Sequence, residues 1–231
     1  MDLYITDDGS RTFRNKEVDQ LYHTKGGAIV EALEKHARAL KVWEKENPVI
    51  FDVCSGLSYS AACAFEEIRR HKNNSLVTIY LFENDRIILE KNLELPESLE
   101  YTQDNTSQNI TCYHHFKKAI KGFLDSGKTV YNSKKDHLQI NIIFGDVQST
   151  IDSIKEDADF VFFAPFSPVA TPEMWASEIF GKLYSHMNKG GKLSTYSYAR
   201  KVREALKDSG FSVHNGPILA RRSPSVIAVK E

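Results

Sequence analysis

The sequence predicts an α/β fold built on a mostly parallel, doubly wound sheet of seven strands, with helices on both faces. Three observations carry that expectation. Apolar runs of strand length at 48–52, 76–82, 138–144, 160–164 and 192–196 alternate with segments of helical periodicity. Asp52, Glu83 and Asp146 stand at or just after the ends of the first three runs, where open α/β sheets bind ligands. Finally, 231 residues with 41% hydrophobic content suffice to bury one large core.

Residues 3–25 read as polar and turn-rich around Asp7-Asp8-Gly9-Ser10, and 28–45 as a helix with Ile29, Ala32, Leu33, His36, Leu40 and Trp43 on one face. After the strand at 48–52 comes a turn at Cys54-Ser55-Gly56, and Ser58 is placed to cap a helix reaching Arg70. The second strand ends on Glu83, and a helix begins at Asp85. The stretch 96–136 has the weakest pattern: 100–111 reads as loop, 115–124 as a helix, 127–131 as a small strand or a loop, and His114-His115 as surface. Then follow the third strand, Gly145-Asp146 and a helix at 149–155. After the strand at 160–164, Pro165 and Pro168 forbid helix until Thr171 can cap one at 172–187. The fifth strand, a helix at 200–208 stopped by Ser209-Gly210, and a closing pair at 211–214 and 225–229 complete the chain.

Net charge is −1, so the whole molecule does not advertise a polyanionic partner. From 189 to 231, however, nine Lys or Arg face three acids, which fits either a phosphate-bearing substrate or a solvated surface. Three cysteines without paired spacing argue against a disulfide framework or a metal site, and favour a reducing cytoplasm. No apolar run approaches the roughly 20 residues that span a bilayer.

The strand ends carry the chemistry. Glu83 can accept two ribose hydroxyls, as an acidic residue does in dinucleotide sites, but a pyrophosphate also needs a glycine-rich loop, and between Asp52 and Ser58 only Gly56 remains. A left-handed backbone at Cys54 or Ser58 costs roughly 1–2 kcal/mol each, so the loop must follow another path or absorb the strain. Gly145-Asp146 alone reads equally as a turn or a helix cap.

Tyr22-His23-Thr24-Lys25-Gly26-Gly27, Phe144-Gly145-Asp146, Phe166-Ser167-Pro168 through Pro172-Glu173-Met174-Trp175, Gly190-Gly191-Lys192 and Arg221-Arg222 occur in this order and together resemble the MnmC-type methyltransferase domain, from enzymes that complete 5-methylaminomethyl-2-thiouridine in tRNA. The resemblance implies a Rossmann-like class I fold as a single domain over 1–231, with residues 1–45 as lid and lead-in helix and 96–136 as a variable insertion, in a stand-alone form without an oxidase half. It implies S-adenosyl-L-methionine as cofactor and tRNA as partner. It places Asp52, Ser55, Gly56, Glu83, Asp146 and Val147 on the cofactor under a lid of Tyr22, His23 and Thr24. Phe166, Ser167 and Trp175 would face the substrate, and Arg221 and Arg222 its phosphates.

One position departs from the family: Ala164 stands where the resemblance implies a catalytic aspartate. An amine of pKa near 10 is neutral in only about one part in a thousand at pH 7, a penalty of about 4 kcal/mol, against roughly 7–11 kcal/mol obtainable from alignment. Three solutions stand open. Burial among Phe163, Phe166 and Trp175 can neutralise the amine; Tyr196, Tyr198, Ser167 or Glu173 can accept its proton; or the substrate differs. In the last no ammonium is involved, and it includes a non-catalytic nucleotide- or RNA-binding module; a methyltransferase for a small amine or another RNA is the rival of the same chemistry.

Overall fold

The computed structural model describes residues 1–219 and 223–231. Residues 3–25, expected as turns, pair instead into a small antiparallel sheet: β1 (Asp2–Ile5), β2 (Arg11–Asn15) and β3 (Gln20–Leu21). Its strands are short and mostly exposed, with little alternation to betray them. The single helix expected over 28–45 is three pieces. α1 (Ala28–Ala32) runs into a π-helical stretch, Leu33–Arg38, and a 3₁₀ turn, Val42–Glu44, follows a left-handed Lys41. Its apolar face is where periodicity placed it: Ile29, Ala32, Leu33 and Leu40 are all buried.

The chain then alternates as expected: β4 (Val49–Val53), α2 (Tyr59–Arg70), β5 (Val77–Glu83) and α3 (Arg86–Leu93). Residues 100–111, read as loop, form a hairpin of β6 (Leu99–Gln103) and β7 (Thr106–Ile110). Asp104 and Asn105 both take positive φ, the backbone that a two-residue hairpin turn needs, with an Asp-Asn pair where glycine is more usual. α4 (Tyr113–Ser126) follows, and buries His115, which had been expected at the surface. Next come β8 (Val130–Ser133), β9 (Leu138–Phe144), α5 (Val147–Thr150), β10 (Ala158–Phe163), α6 (Ser177–Ser185), β11 (Met187–Thr195), α7 (Arg200–Asp208), β12 (Ser212–Asn215) and β13 (Val226–Val229).

The main sheet has the order β12-β13-β11-β10-β4-β5-β9-β8. It holds eight strands, one more than the seven expected, because β8 adds to the edge against β9. The strands from β11 to β9 run parallel, and β8 and the β12–β13 pair are antiparallel. Alternate residues feed two cores. Ile50, Ile79, Ile140 and Phe162 face the layer of α1, α2 and α4, and Phe51, Phe82, Val161 and Phe163 face that of α6 and α7. From β4 the chain builds outward to β5 and β9, then β10 returns to the other side of β4. The crevice beyond the ends of β4 and β10 is therefore the topological switch point, where such sheets bind ligands.

Two expected caps are corrected. Ser58 has φ 58° and makes no side-chain capping bond; Asp52 Oδ2 instead accepts the Ala61 amide (3.2 Å) in the first turn of α2. Thr171 does not cap either, and its hydroxyl donates to the Phe166 carbonyl (3.0 Å). The helix expected over 172–187 is a 3₁₀ turn, Pro172–Trp175, followed by α6.

Candidate functional site

A cleft of about 1270 Å³ opens at the switch point, bounded by the strand ends, the loop after β10 and the segment after β3. Asp52, Ser55, Gly56, Glu83 and Asp146 all line it, as do Tyr22, His23, Thr24, Ala164, Phe166, Ser167 and Tyr196. Val147 is buried and borders a small recess beside it, shared with Cys54, Glu83 and Asp146. Glu83 and Asp146 thus open on one crevice.

The loop from Asp52 to Ser58 absorbs strain. Cys54, Gly56 and Ser58 have φ of 58°, 51° and 58°, so every second residue is left-handed, at a cost of about 1–2 kcal/mol for each non-glycine. Glu83 helps to hold this turn: its carboxylate accepts the amides of Gly56 (2.7 Å), Asn84 (2.9 Å) and Asp85 (2.9 Å). A carboxylate offers about four lone-pair positions. Two free oxygens for a ribose were expected at Glu83, and the backbone uses much of that capacity to aim the group.

The floor holds three carboxyl groups in different surroundings. Burial pushes Asp52 up to about 8, with the Ala61 amide opposing and the nearby Glu83 charge adding to the rise. Burial also raises Glu83, against the pull of its three amide bonds. Asp146 is exposed and its Oδ1 caps α5 through the Gln148 amide (2.8 Å).

The segment after β3 is anchored on both sides of the cleft. Tyr22 donates its hydroxyl to Asp85 Oδ2 (2.7 Å), and its ring packs edge-on to Phe166 at 5.0 Å. His23 lies 3.2 Å from Thr12 Oγ1 and 4.9 Å from the Tyr59 ring, and packing around it pushes its pKa down to about 4. The Thr24 amide donates to Glu31 Oε2 (3.0 Å), and Glu31 in turn pairs with buried Lys35 at 2.7 Å.

Ser167 is clamped by a residue that sequence reasoning missed. Gln20 Nε2 donates to its hydroxyl (2.7 Å) and Gln20 Oε1 accepts its amide (3.0 Å). Trp175 is corrected: only 5% exposed, it donates its indole N–H to the Phe166 carbonyl (2.8 Å) and packs on Phe163 and Tyr196, so it braces the loop from within. Tyr196 donates to the Pro165 carbonyl (2.8 Å), Tyr198 lies under Arg203, and Glu173 is exposed at the cleft. Arg221 and Arg222 lie outside the described residues. His36, assigned by periodicity to a helix face, turns out to line the cleft; only its polarity on an apolar stripe marked it.

Residues 111–231 match the family model of S-adenosyl-L-methionine-dependent methyltransferases. An uncharacterized protein of Methanocaldococcus jannaschii is 28% identical over 228 residues, which cover 99% of this chain and 59% of that protein. The bifunctional protein MnmC of Leptospira interrogans, named for tRNA 5-methylaminomethyl-2-thiouridine biosynthesis, is 27% identical over 137 residues, 57% of this chain and 21% of that one. The chain thus spans about three fifths and one fifth of these relatives' lengths. Among solved structures, MnmC2 from Aquifex aeolicus superposes with a TM-score of 0.76 at 25% identity, over 100% of this chain and 70% of that one. A methyltransferase from Pyrococcus furiosus, at 15% identity and TM-score 0.51 over 93% of this chain and 90% of its own, shares the fold. With a match over more than half of its length, and a ligand cleft at the switch point of a Rossmann-like sheet, the chain belongs to the family of S-adenosyl-L-methionine-dependent methyltransferases, and is an enzyme of that family.

Proposed function

We propose that the cleft binds S-adenosyl-L-methionine and that the enzyme N-methylates an aminomethyl group on a wobble uridine of tRNA, acting in the cytoplasm. The observation that carries the cofactor reading is the convergence of Asp52, Glu83 and Asp146 from three neighbouring strand ends. Three carboxyl groups at strand tips offer hydrogen-bond acceptors to hydroxyls and an ammonium, and the loop beside them lacks the glycines that a pyrophosphate needs. Ser55 supports the fit, since its buried hydroxyl lines the cleft with no hydrogen-bond partner among the described residues. Glu83 and Asp146 would take the ribose and adenine ends, Asp52 and Ser55 the amino-acid end, and Tyr22, His23 and Thr24 would close above. The bound cofactor supplies an electrophilic methyl group. The chain's own task is alignment: Phe166 and Ser167, held by Tyr22 and Gln20, would orient the entering base.

The tRNA substrate rests on the likeness to MnmC and MnmC2. Calorimetry with S-adenosylhomocysteine tests the first half: wild type binds, and Glu83→Ala binds at least about tenfold more weakly, having lost charge-assisted bonds of roughly 1.5–3 kcal/mol each. Absence of binding to wild type ends the proposal. For the second half, labelled cofactor is incubated with bulk tRNA lacking the final methylation, and the modified nucleoside is located by mass spectrometry. Label in any other nucleoside, or none, overturns the wobble-uridine substrate.

A further inference from the structure

Ala164 leaves the end of β10 without a polar side chain, yet the cleft is not without a hydrogen-bonding group nearby. His36 reaches it from the π-helical stretch Leu33–Arg38. Its ring packs 5.4 Å from Phe162, and its Nδ1 lies 2.7 Å from Ser194 Oγ. Phe162 and Ser194 are register partners on adjacent strands, and Phe162 precedes Ala164 by two residues, about 6.6 Å along the strand. The imidazole and Ala164 therefore line one cleft, the ring packing on the residue two before Ala164. Ser194 Oγ is buried and His36 is its hydrogen-bond partner, so the ring is held in one orientation. The other nitrogen, Nε2, has no hydrogen-bond partner among the described residues, although the side chain is a wall of the cleft.

The neighbouring groups are otherwise engaged. Glu31 is taken by Lys35 and the Thr24 amide, and His23 by Thr12. Burial holds His36 neutral, at about 4, with Glu31 opposing that fall and Lys35 and His23 adding to it. A neutral imidazole can accept a hydrogen bond without adding a charge beside a cationic cofactor.

Resting on the methyltransferase reading, we propose that His36 is the residue that orients the methyl acceptor: Nδ1–H donates to Ser194 Oγ, and the Nε2 lone pair accepts an N–H of the incoming amine. The substrate amine gives its extra proton to solvent before it enters, and the neutral form is held with its lone pair toward the methyl group. In the transfer, the carbon–sulfur bond breaks with its pair going to sulfur while the nitrogen lone pair forms the new carbon–nitrogen bond. The resulting ammonium keeps its hydrogens until it leaves for solvent, so His36 need not take a proton.

The test uses the full chain and the variants His36→Phe, His36→Gln and Ser194→Ala. All three bind S-adenosylhomocysteine within about threefold of wild type. His36→Phe loses about 100-fold in kcat on the undermethylated tRNA, the scale expected for a misplaced nucleophile. His36→Gln recovers part of it through its carbonyl oxygen. Independently of tRNA, nitrogen-15 NMR of the S-adenosylhomocysteine complex finds Nε2 unprotonated and shifted on adding ethylamine as probe, while Ser194→Ala mixes the tautomers. Wild-type turnover in His36→Phe, a protonated Nε2, or no response to ethylamine overturns the assignment. If the cofactor product binds but no tRNA is labelled, the substrate is wrong and the ethylamine response decides the role of His36. If wild type binds no S-adenosylhomocysteine, both readings fall.

Discussion

Asp52 shows how one side chain can serve structure and site in different protonation states. It is 2% exposed, and its Oδ2 caps α2 through Ala61. Burial raises it from 3.8 to about 8, so the folded protein holds a proton there that the unfolded chain releases. Stability from this group is fully present below pH 3.8 and is lost as pH rises to about 8. Asp52→Asn keeps an acceptor for Ala61 and removes the titration. In the absence of ligand its melting temperature should gain steadily on wild type across that interval; a constant offset between pH 5 and pH 8 refutes the buried acid. Affinity for the cationic cofactor should fall in the same variant. Strand-end acids were legible in the sequence because their positions follow from where apolar runs stop. The Gly56 amide on Glu83 was not, since it depends on the path of a loop 27 residues upstream.

At the scale of elements, the segment after β3 and the loop after β10 are tied together at the cleft. Tyr22 bonds to Asp85 and packs on Phe166, and Gln20 grips Ser167. Gly56 lies under that segment: a Cβ built there would meet the Tyr22 ring at 3.1 Å, in a backbone with φ 51° that already favours glycine. Tyr22→Phe removes the bond to Asp85 and leaves the ring. Stopped-flow dissociation of S-adenosylhomocysteine should accelerate about tenfold, the worth of roughly 1.5 kcal/mol for one charge-assisted bond. An unchanged rate shows that the strap does not cover the ligand. Periodicity located the helices and parallel strands, but β1 to β3 and the β6–β7 hairpin escaped it. Those strands are short, half-solvated and polar, so their pairing is set by partners rather than by local pattern.

For the whole molecule, opposing buried groups set a pH optimum. Burial lowers His23, His36 and His115 from 6.5 to about 4, so their stabilising neutrality is complete above pH 6.5 and is lost as pH falls toward 4. Asp52 and Glu83, both raised by burial, act the other way, and for Asp52 the effect runs up to about 8. Urea denaturation of the ligand-free protein should show stability climbing from pH 4.5, cresting near 6.5 and easing toward 8. A monotonic rise to pH 8 contradicts the protonated Asp52. The alternation of apolar runs with helical stripes determined, from sequence alone, the layered sheet and the acids at its strand tips, because burial periodicity is a local property of the chain. Only the tertiary structure decided that Trp175 braces rather than displays, that Gln20 grips Ser167 across 147 positions, and that His36 lines the same cleft as Ala164. Those contacts join segments far apart in the chain, and no local pattern encodes which distant partner a polar side chain will meet.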